Sequence, residues 1–109
     1  MSGPMPSADR VFHALGDPTR RRILKMLSAR PYSVKGLAAP LGITLTAVAQ
    51  QLRLMEEAGL VSTEKLGRVR TCRLEPSGLE AAQHWIGECR TEWARRLDRL
   101  GAFLDEEEA

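Results

Sequence analysis

The sequence predicts a mostly α-helical fold with one β-hairpin, the winged helix-turn-helix, in which five helices accompany a two-stranded wing. Short helical segments joined by a turn at Gly42 precede a hairpin pattern at residues 61–74. One long apolar stripe at helical spacing then fills the last third of the chain. We divide the chain into a disordered tip (1–6), a winged domain (7–76) and a long C-terminal helix (77–109) of the same single domain. We expect it to dimerise through its first and last helices.

The composition is that of a soluble protein with one domain and no membrane-spanning segment. The chain has 109 residues, of which 43% are hydrophobic and 28% charged, as in one soluble globular domain. No apolar run reaches the length of a membrane span, and the N-terminus lacks the pattern of a signal peptide. Two cysteines, Cys72 and Cys89, do not make a disulfide framework. We expect a cytoplasmic protein with no membrane partner.

Charge is distributed unevenly along the chain. Residues 1–75 hold 12 Lys and Arg against 6 Asp and Glu, whereas residues 76–109 hold 4 against 8. The two parts therefore carry +6 and −4, which gives the overall +2. A basic body attached to an acidic helix favours a polyanionic partner for the body.

Capping residues define the first two helices. Ser7 or Asp9 is expected to begin a short first helix. Asp17 and Pro18 suit the N-cap and first position of a second helix, which we place at residues 18–28. The apolar side of the first helix carries Val11, Phe12 and Leu15.

The second helix carries a basic run with two interpretations. We expect its buried side to hold Ile23, Leu24 and Leu27. The run Arg20-Arg21-Arg22, with Lys25, lies largely on the remaining face. A solvated helix surface and contact with phosphate groups explain this run equally well.

A helix-turn-helix arrangement is predicted in the middle of the chain. Ser33 is the expected N-cap of a short third helix over residues 34–40. Leu41-Gly42-Ile43 forms a tight apolar turn, after which Thr44 caps the fourth helix. Two short helices joined by a Gly-containing turn are typical of this DNA-binding motif.

The fourth helix, residues 44–58, has a buried stripe and well-defined ends. Gly59 supplies the left-handed position that ends it, and Leu60 is expected to fold back over the last turn. Apolar residues at spacings of four and three predict one narrow buried stripe. These residues are Val48, Leu52 and Met55.

The other face of this helix is small and hydrogen-bonding rather than heavily charged. Such a face suits a helix in the DNA major groove, where Gln can bond adenine and Arg can bond guanine. The predicted DNA-contacting residues of the helix are Thr44, Thr46, Ala47, Gln50, Gln51 and Arg53.

A hairpin follows directly. Residues 61–66 and 69–74 are strand-like runs rich in Val, Thr and Leu, joined through Gly67-Arg68. Its tip holds Lys65, Arg68 and Arg70, which suit DNA phosphates or the minor groove. The alternative is an ordinary edge hairpin, because Lys and Arg also protect exposed strand edges. Its position after a helix-turn-helix favours a DNA-binding wing.

The last helix carries an apolar stripe longer than the core of a small domain needs. Pro76-Ser77 begins it, and Trp85 and Phe103 widen the stripe. A dimer interface explains this surplus, with the helix packed on its symmetry mate and on the first helix. The predicted interface residues are Val11, Phe12, Leu15, Leu79, Ile86, Cys89, Trp93, Leu97 and Leu100. The stripe itself also includes Ala82 and Leu104.

Three segments together resemble the ArsR/SmtB family of small bacterial winged-helix repressors, which bind operators as homodimers. They are H-A-L-G-D-P-T-R-R-R-I-L-K-M-L (13–27), A-V-A-Q-Q-L-R-L-M-E-E-A-G-L-V (47–61) and G-R-V-R-T-C-R-L (67–74). The similarity runs from about Asp9 to the end of the chain. The long last helix, with Trp85 and Trp93, looks like the subgroup that lacks the usual metal site.

The resemblance implies how the protein meets DNA. The fourth helix would enter the major groove of double-stranded operator DNA, the wing would touch flanking backbone, and the first and last helices would form the homodimer. One departure is Ala49-Gln50-Gln51, where many relatives carry Ser-Lys-His. Losing Lys and His removes potential charge contacts, so the affinity or the operator should differ from those of such relatives.

Metal sensing is the best-known activity of the family, so we consider the potential metal ligands in this sequence. The usual thiolate pair would fall within Tyr32–Leu37, which contains no Cys. On the last helix Glu80 and His84 are spaced i, i+4, and Glu88 and Glu92 continue that face. One His among glutamates is a weak set for Zn²⁺, so we interpret it as a solvated acidic face. We predict neither a metal site nor a cofactor.

Three functional hypotheses follow. The leading one is a sequence-specific, dimeric transcriptional repressor that binds DNA and occupies a promoter in the bacterial cytoplasm, associated with the nucleoid when bound. The second is a metal- or thiol-responsive sensor on the same scaffold, with Cys72, His84 and Cys89 as inputs. The third is a winged-helix protein-interaction module without DNA binding, suggested by Ala49-Gln50-Gln51. No catalytic triad, Cys-His pair, paired carboxylates or phosphate loop is present, so we predict no enzyme. The sequence indicates no particular small-molecule effector.

Overall fold

The computed structural model describes residues 7–108, with side chains described through residue 106. The expected disordered tip, residues 1–6, lies outside the described residues. Within them lie five helices and three strands. The helices are α1 (Ala8–Leu15), α2 (Pro18–Ala29), α3 (Val34–Leu41), α4 (Leu45–Glu57) and α5 (Pro76–Glu108). The strands are β1 (Tyr32–Ser33), β2 (Val61–Leu66) and β3 (Val69–Leu74).

Side-chain caps begin the first four helices, as the sequence predicts. In each case the capping oxygen accepts a hydrogen bond from an amide in the first turn, which otherwise has no partner in the helix. The donor–acceptor distances are 3.3 Å at Ser7, 3.0 Å at Asp17, 2.9 Å at Ser33 and 3.1 Å at Thr44. Local chemistry thus fixes where these helices start.

The sheet has three antiparallel strands rather than the predicted two, in the order β1-β3-β2. β1 is only two residues long, and Tyr32 and Ser33 pair with Cys72 and Thr71 of β3. Such a segment is too short to show alternation, so its pairing is not visible in the sequence. The pairing of β1 with β3 joins the base of the wing to the start of α3.

The core lies where α1 to α4 and the base of the sheet meet the first turns of α5. The stripe predicted on α4 is confirmed, since Val48, Leu52 and Met55 are all buried. On α2, Ile23 and Leu27 are buried, whereas Leu24 is only partly buried against the core. No helix within residues 7–108 is both long and apolar enough to cross a membrane.

The start of α5 is held against the end of α4 by two glycines. Gly59 has a φ of 72°, the left-handed conformation that the sequence predicts there, and the Leu60 amide bonds the Met55 carbonyl at 2.9 Å. The Gly78 amide then donates to the Gly59 carbonyl at 2.8 Å. A Cβ at position 78 would lie 2.6 Å from the carbonyl oxygens of Ala58 and Gly59. Only glycine therefore allows this close approach.

Gly78→Ala should lower the free energy of unfolding by about 1–3 kcal/mol, because the methyl group must displace backbone atoms. Urea denaturation followed by circular dichroism, at one fixed protein concentration, measures the change. The matched control is Gly87→Ala, also within α5, where a Cβ meets nothing within 4 Å. This control should gain roughly 0.5–1 kcal/mol from helix propensity. Equal destabilisation of both variants would contradict the close approach at Gly78.

Candidate nucleic-acid interface

The exposed face of α4 presents three of the predicted base-reading side chains. Thr46, Gln50 and Arg53 are exposed, and Ala47 beside them is half-buried. Thr44 is exposed at the N-cap, where its hydroxyl oxygen already accepts from the Ala47 amide at 3.1 Å. Its O–H remains a donor for a phosphate or base. The face therefore offers one cation and several hydrogen-bonding groups on a rigid helix.

Gln51 is bonded within the protein, whereas the preceding Gln50 is exposed. Its side chain is half-buried, and its Oε1 accepts a hydrogen bond from Arg20 Nη1 at 2.9 Å. Arginine has donors only, so the amide oxygen must face it. A contact between Gln51 and DNA stays a prediction, but the side chain is already held by the protein.

The three arginines at the start of α2 hydrogen-bond to carbonyls of neighbouring helices, a role that neither sequence interpretation includes. Arg20 Nε donates to the Ala14 carbonyl at 2.6 Å, and Arg21 Nη1 donates to the Leu15 carbonyl at 2.7 Å. These are carbonyls of the last turn of α1, which have no partner within the helix. Arg22 Nη2 donates in the same way to Pro40 near the end of α3, at 3.1 Å. The run thus connects the ends of neighbouring helices, a role set by tertiary distances.

The wing supplies a cationic edge. Lys65 and Arg70 are directly opposite each other on β2 and β3, and Arg68 lies in the turn beside Gly67, whose φ is 63°. All three cations are exposed. Within the described residues, no carboxylate forms an ion pair with any of the three. Their charge is therefore available to an external anion.

An open groove of about 800 Å³ lies between α4 and the wing. Arg53 lines it from α4, Arg68 and Arg70 line it from the wing, and Lys35 lines it from α3. Glu56 also lines the groove, and its carboxylate accepts a hydrogen bond from the Thr63 hydroxyl. Four cations around one groove create a positive potential suited to a phosphate backbone.

An exposed apolar face on α5 contains four of the nine predicted dimer residues, Ile86, Trp93, Leu97 and Leu100. We define the α5 apolar face as the exposed residues Trp85, Ile86, Trp93, Leu97, Leu100, Phe103 and Leu104. Phe12 of α1 lies edge-on to Trp85, with ring centroids 5.4 Å apart. Cys89 is also exposed on α5, whereas Leu15 and Leu79 are partly buried against the core.

The assignment of Val11 to the dimer interface is corrected by the structure. Its side chain has no exposed surface and belongs to the core of its own protomer. The stripe on α1 has two parts, because Val11 faces inward while Phe12 is turned toward α5. Sequence spacing alone does not distinguish these two directions.

The potential sensor residues, Cys72, His84 and Cys89, do not belong to any metal-binding group within the described residues. Cys72 is fully buried, and burial, together with the nearby Glu56 carboxylate, raises the pKa of its thiol to about 11. Cys72 is therefore a protonated thiol at neutral pH, unsuited to metal binding or rapid oxidation. On α5, His84 pairs with Glu88 at 2.9 Å in an exposed position. Across the described part of the chain, no three His, Cys, Asp or Glu residues are grouped to hold a metal.

Comparison with known proteins agrees with this architecture. Residues 15–64 match a family model described as a helix-turn-helix domain. The HTH-type transcriptional regulator Rv2034 of Mycobacterium tuberculosis is 35% identical over 101 residues, covering 93% of this chain and 92% of the relative. The crystal structure of the ArsR family transcriptional regulator RHA00566 is also 35% identical. It superposes with a TM-score of 0.75, covering 86% of this chain and 97% of that one.

The chain belongs to the ArsR/SmtB family. The resemblance drawn from the three sequence segments is thereby confirmed, and so is the winged helix-turn-helix fold. Another relative, the transcriptional repressor SdpR of Bacillus subtilis, is 26% identical over 78 residues, covering 72% of this chain and 87% of that protein. These family members are regulators of transcription, so the expectation that this ArsR/SmtB protein is not an enzyme is also confirmed.

Proposed function

We propose that this transcriptional regulator is a sequence-specific repressor that binds operator DNA as a homodimer. The observation that carries the proposal is the exposed polar face of α4, formed by Thr46, Gln50 and Arg53. Arg53 also lines the groove between α4 and the wing, together with three other cations. A polar helix face next to a basic groove has the two elements that DNA binding needs, base readout and phosphate contact.

In this proposal α4 lies in the major groove and the wing lies on flanking backbone. Gln50 and Arg53 are the exposed side chains long enough for bidentate bonds, to adenine and guanine respectively. Thr44, Thr46 and Ala47 frame the bases at the start of the helix, where helices of this motif usually contact base edges. Lys65, Arg68 and Arg70 bind phosphates through charge, without reading sequence.

The homodimer would form through the α5 apolar face with help from α1. α5 has 33 residues, and the molecule extends 73 Å along its longest axis, so much of this helix projects from the domain. An apolar surface of this extent is typical of a protein–protein interface. A two-fold dimer would place two α4 helices about one DNA turn apart. Repression by promoter occupancy is supported by the named repressor among the relatives.

Fluorescence anisotropy across a salt series tests the proposal, using the DNA upstream of the protein's own gene and a scrambled duplex. The upstream duplex should bind preferentially, with affinity that falls steeply as salt rises. Arg53→Ala should weaken this binding by roughly 30-fold or more, because the homodimer loses two bidentate base contacts, each worth about 1–3 kcal/mol. Arg95→Ala, an exposed arginine on α5, is the matched control and should bind as the wild type does. Absence of binding to either duplex at low salt would favour the protein-interaction module.

A further inference from the structure

Arg20 links three parts of the protein through one guanidinium group. Its Nε donates to the Ala14 carbonyl at 2.6 Å and its Nη2 to the His13 carbonyl at 3.4 Å. Its Nη1 donates to Gln51 Oε1 on α4 at 2.9 Å. The Arg20 backbone is fixed as well, because its amide donates to Asp17 Oδ2 at 3.0 Å. The bonds to Ala14 and Gln51 are partly buried, whereas the bond to His13 is exposed.

This contact restricts what Gln51 can offer to DNA. A free glutamine reads adenine by accepting from N6 and donating to N7 at the same time. Here the amide oxygen is already bonded to a charged donor, and bonds of this kind are stronger than neutral ones. The oxygen keeps a second lone pair, but Arg20 holds it toward α2, so Gln51 cannot aim its oxygen and its NH2 group together at one adenine. The NH2 group, with two donors, is the part of the amide that makes no bond to Arg20.

We propose that Arg20 is a positioning residue that determines base preference by fixing Gln51 as a hydrogen-bond donor. Gln51 then selects bases with an acceptor in the major groove, guanine through O6 and N7 or thymine through O4, over adenine. The proposal rests on the DNA-binding function proposed above. Arg20 acts through Gln51 and touches no DNA itself, because its guanidinium is directed at Ala14, His13 and Gln51.

The neighbouring Arg21 provides a matched control. It also donates to a carbonyl of the last turn of α1, Leu15, at 2.7 Å, but the described contacts of Arg21 do not reach α4. Loss of either arginine removes one positive charge and bonding to the last turn of α1, two bonds for Arg20 and one for Arg21. Only the loss of Arg20 frees the Gln51 oxygen.

The experiment compares base preferences, using selection from a randomised duplex library by the full-length wild type, Arg20→Met and Arg21→Met. One position in each selected half-site should change from guanine or thymine toward adenine in Arg20→Met, with a preference change of roughly tenfold, the size of one hydrogen bond. Arg21→Met should select the wild-type sequence. In a Gln51→Ala background, Arg20→Met should change no base preference further. Circular dichroism confirms that each variant is folded.

Gln51→Glu tests the role of Gln51 independently, in a variant that keeps Arg20 and does not require Arg20→Met to fold. This variant retains the partner of Arg20 but replaces the free NH2 donor with an acceptor. Preference at the same position should move to adenine or cytosine, whose amino groups donate. A selected sequence unchanged in both Arg20→Met and Gln51→Glu would overturn the positioning role. A wild type that selects no sequence at all would instead overturn the DNA-binding function.

Discussion

The double variant Leu97→Glu/Leu100→Glu should be monomeric and should bind the upstream duplex at least about 100-fold more weakly than the wild type. Both side chains lie at the centre of the α5 apolar face and are about half exposed in the protomer, at 50% and 54%. Burying an unpaired carboxylate in an apolar interface costs several kcal/mol, and the two-fold axis doubles the number of such charges. A monomer retains one half-site contact and loses the avidity of the second, which is typically worth 10²–10⁴.

Light scattering after size exclusion measures the oligomeric state, and anisotropy measures DNA affinity. The matched control is Thr91→Glu/Ala102→Glu, which adds the same charge to exposed positions on the opposite side of α5. This control should remain a dimer with wild-type affinity. If the Leu97→Glu/Leu100→Glu protein stays dimeric, the dimer interface does not lie on the α5 apolar face.

The triple variant Lys65→Ala/Arg68→Ala/Arg70→Ala should weaken binding to all duplexes by a similar factor, at least about 100-fold near physiological salt. These cations lie at the wing tip, without ion-pair partners among the described residues. Each lost phosphate contact removes about one unit from the slope of log affinity against log salt. The homodimer carries two wings and loses up to six phosphate contacts, so the slope should fall by about five units. The ratio of upstream to scrambled binding should change little.

The matched control for the wing is Arg73→Ala. Arg73 is an exposed cation on the same strand, but it lies on the opposite face from Arg70 because side chains alternate along β3. Its loss should leave the salt slope within one unit of the wild type. A triple variant with an unchanged slope would show that the wing cations serve only to protect a strand edge.

Local signals make most of the fold predictable. Ser7, Asp17, Ser33 and Thr44 cap helices through bonds within their own first turns, so a few consecutive residues contain the relevant chemistry. The left-handed conformation at Gly59 is local in the same way. β1 is not predictable in this manner, because its only support is pairing with a strand about 40 residues later, and two residues carry no periodicity of their own.

The contacts between helices are less predictable from the sequence, because they join residues that lie far apart along the chain. Composition identifies the exposed face of α4 and the cations of the wing. It does not show that Gln51 is held by Arg20, since that bond spans 31 positions in sequence. It also does not show that Val11 faces inward, because α1 has apolar neighbours on two sides. The close approach at Gly78 likewise requires the relative placement of α4 and α5.

Selection of duplexes by the wild-type protein from a fully randomised library tests dimeric, sequence-specific DNA binding most directly. The selection works without a known operator and measures base preference and symmetry together. The predicted result is one enriched, two-fold symmetric motif whose half-sites are centred about 10 base pairs apart, matching two α4 helices in successive turns of the major groove. Enrichment of an unsymmetrical half-site alone would contradict the dimer. Recovery of random sequence after repeated rounds would contradict sequence-specific binding altogether.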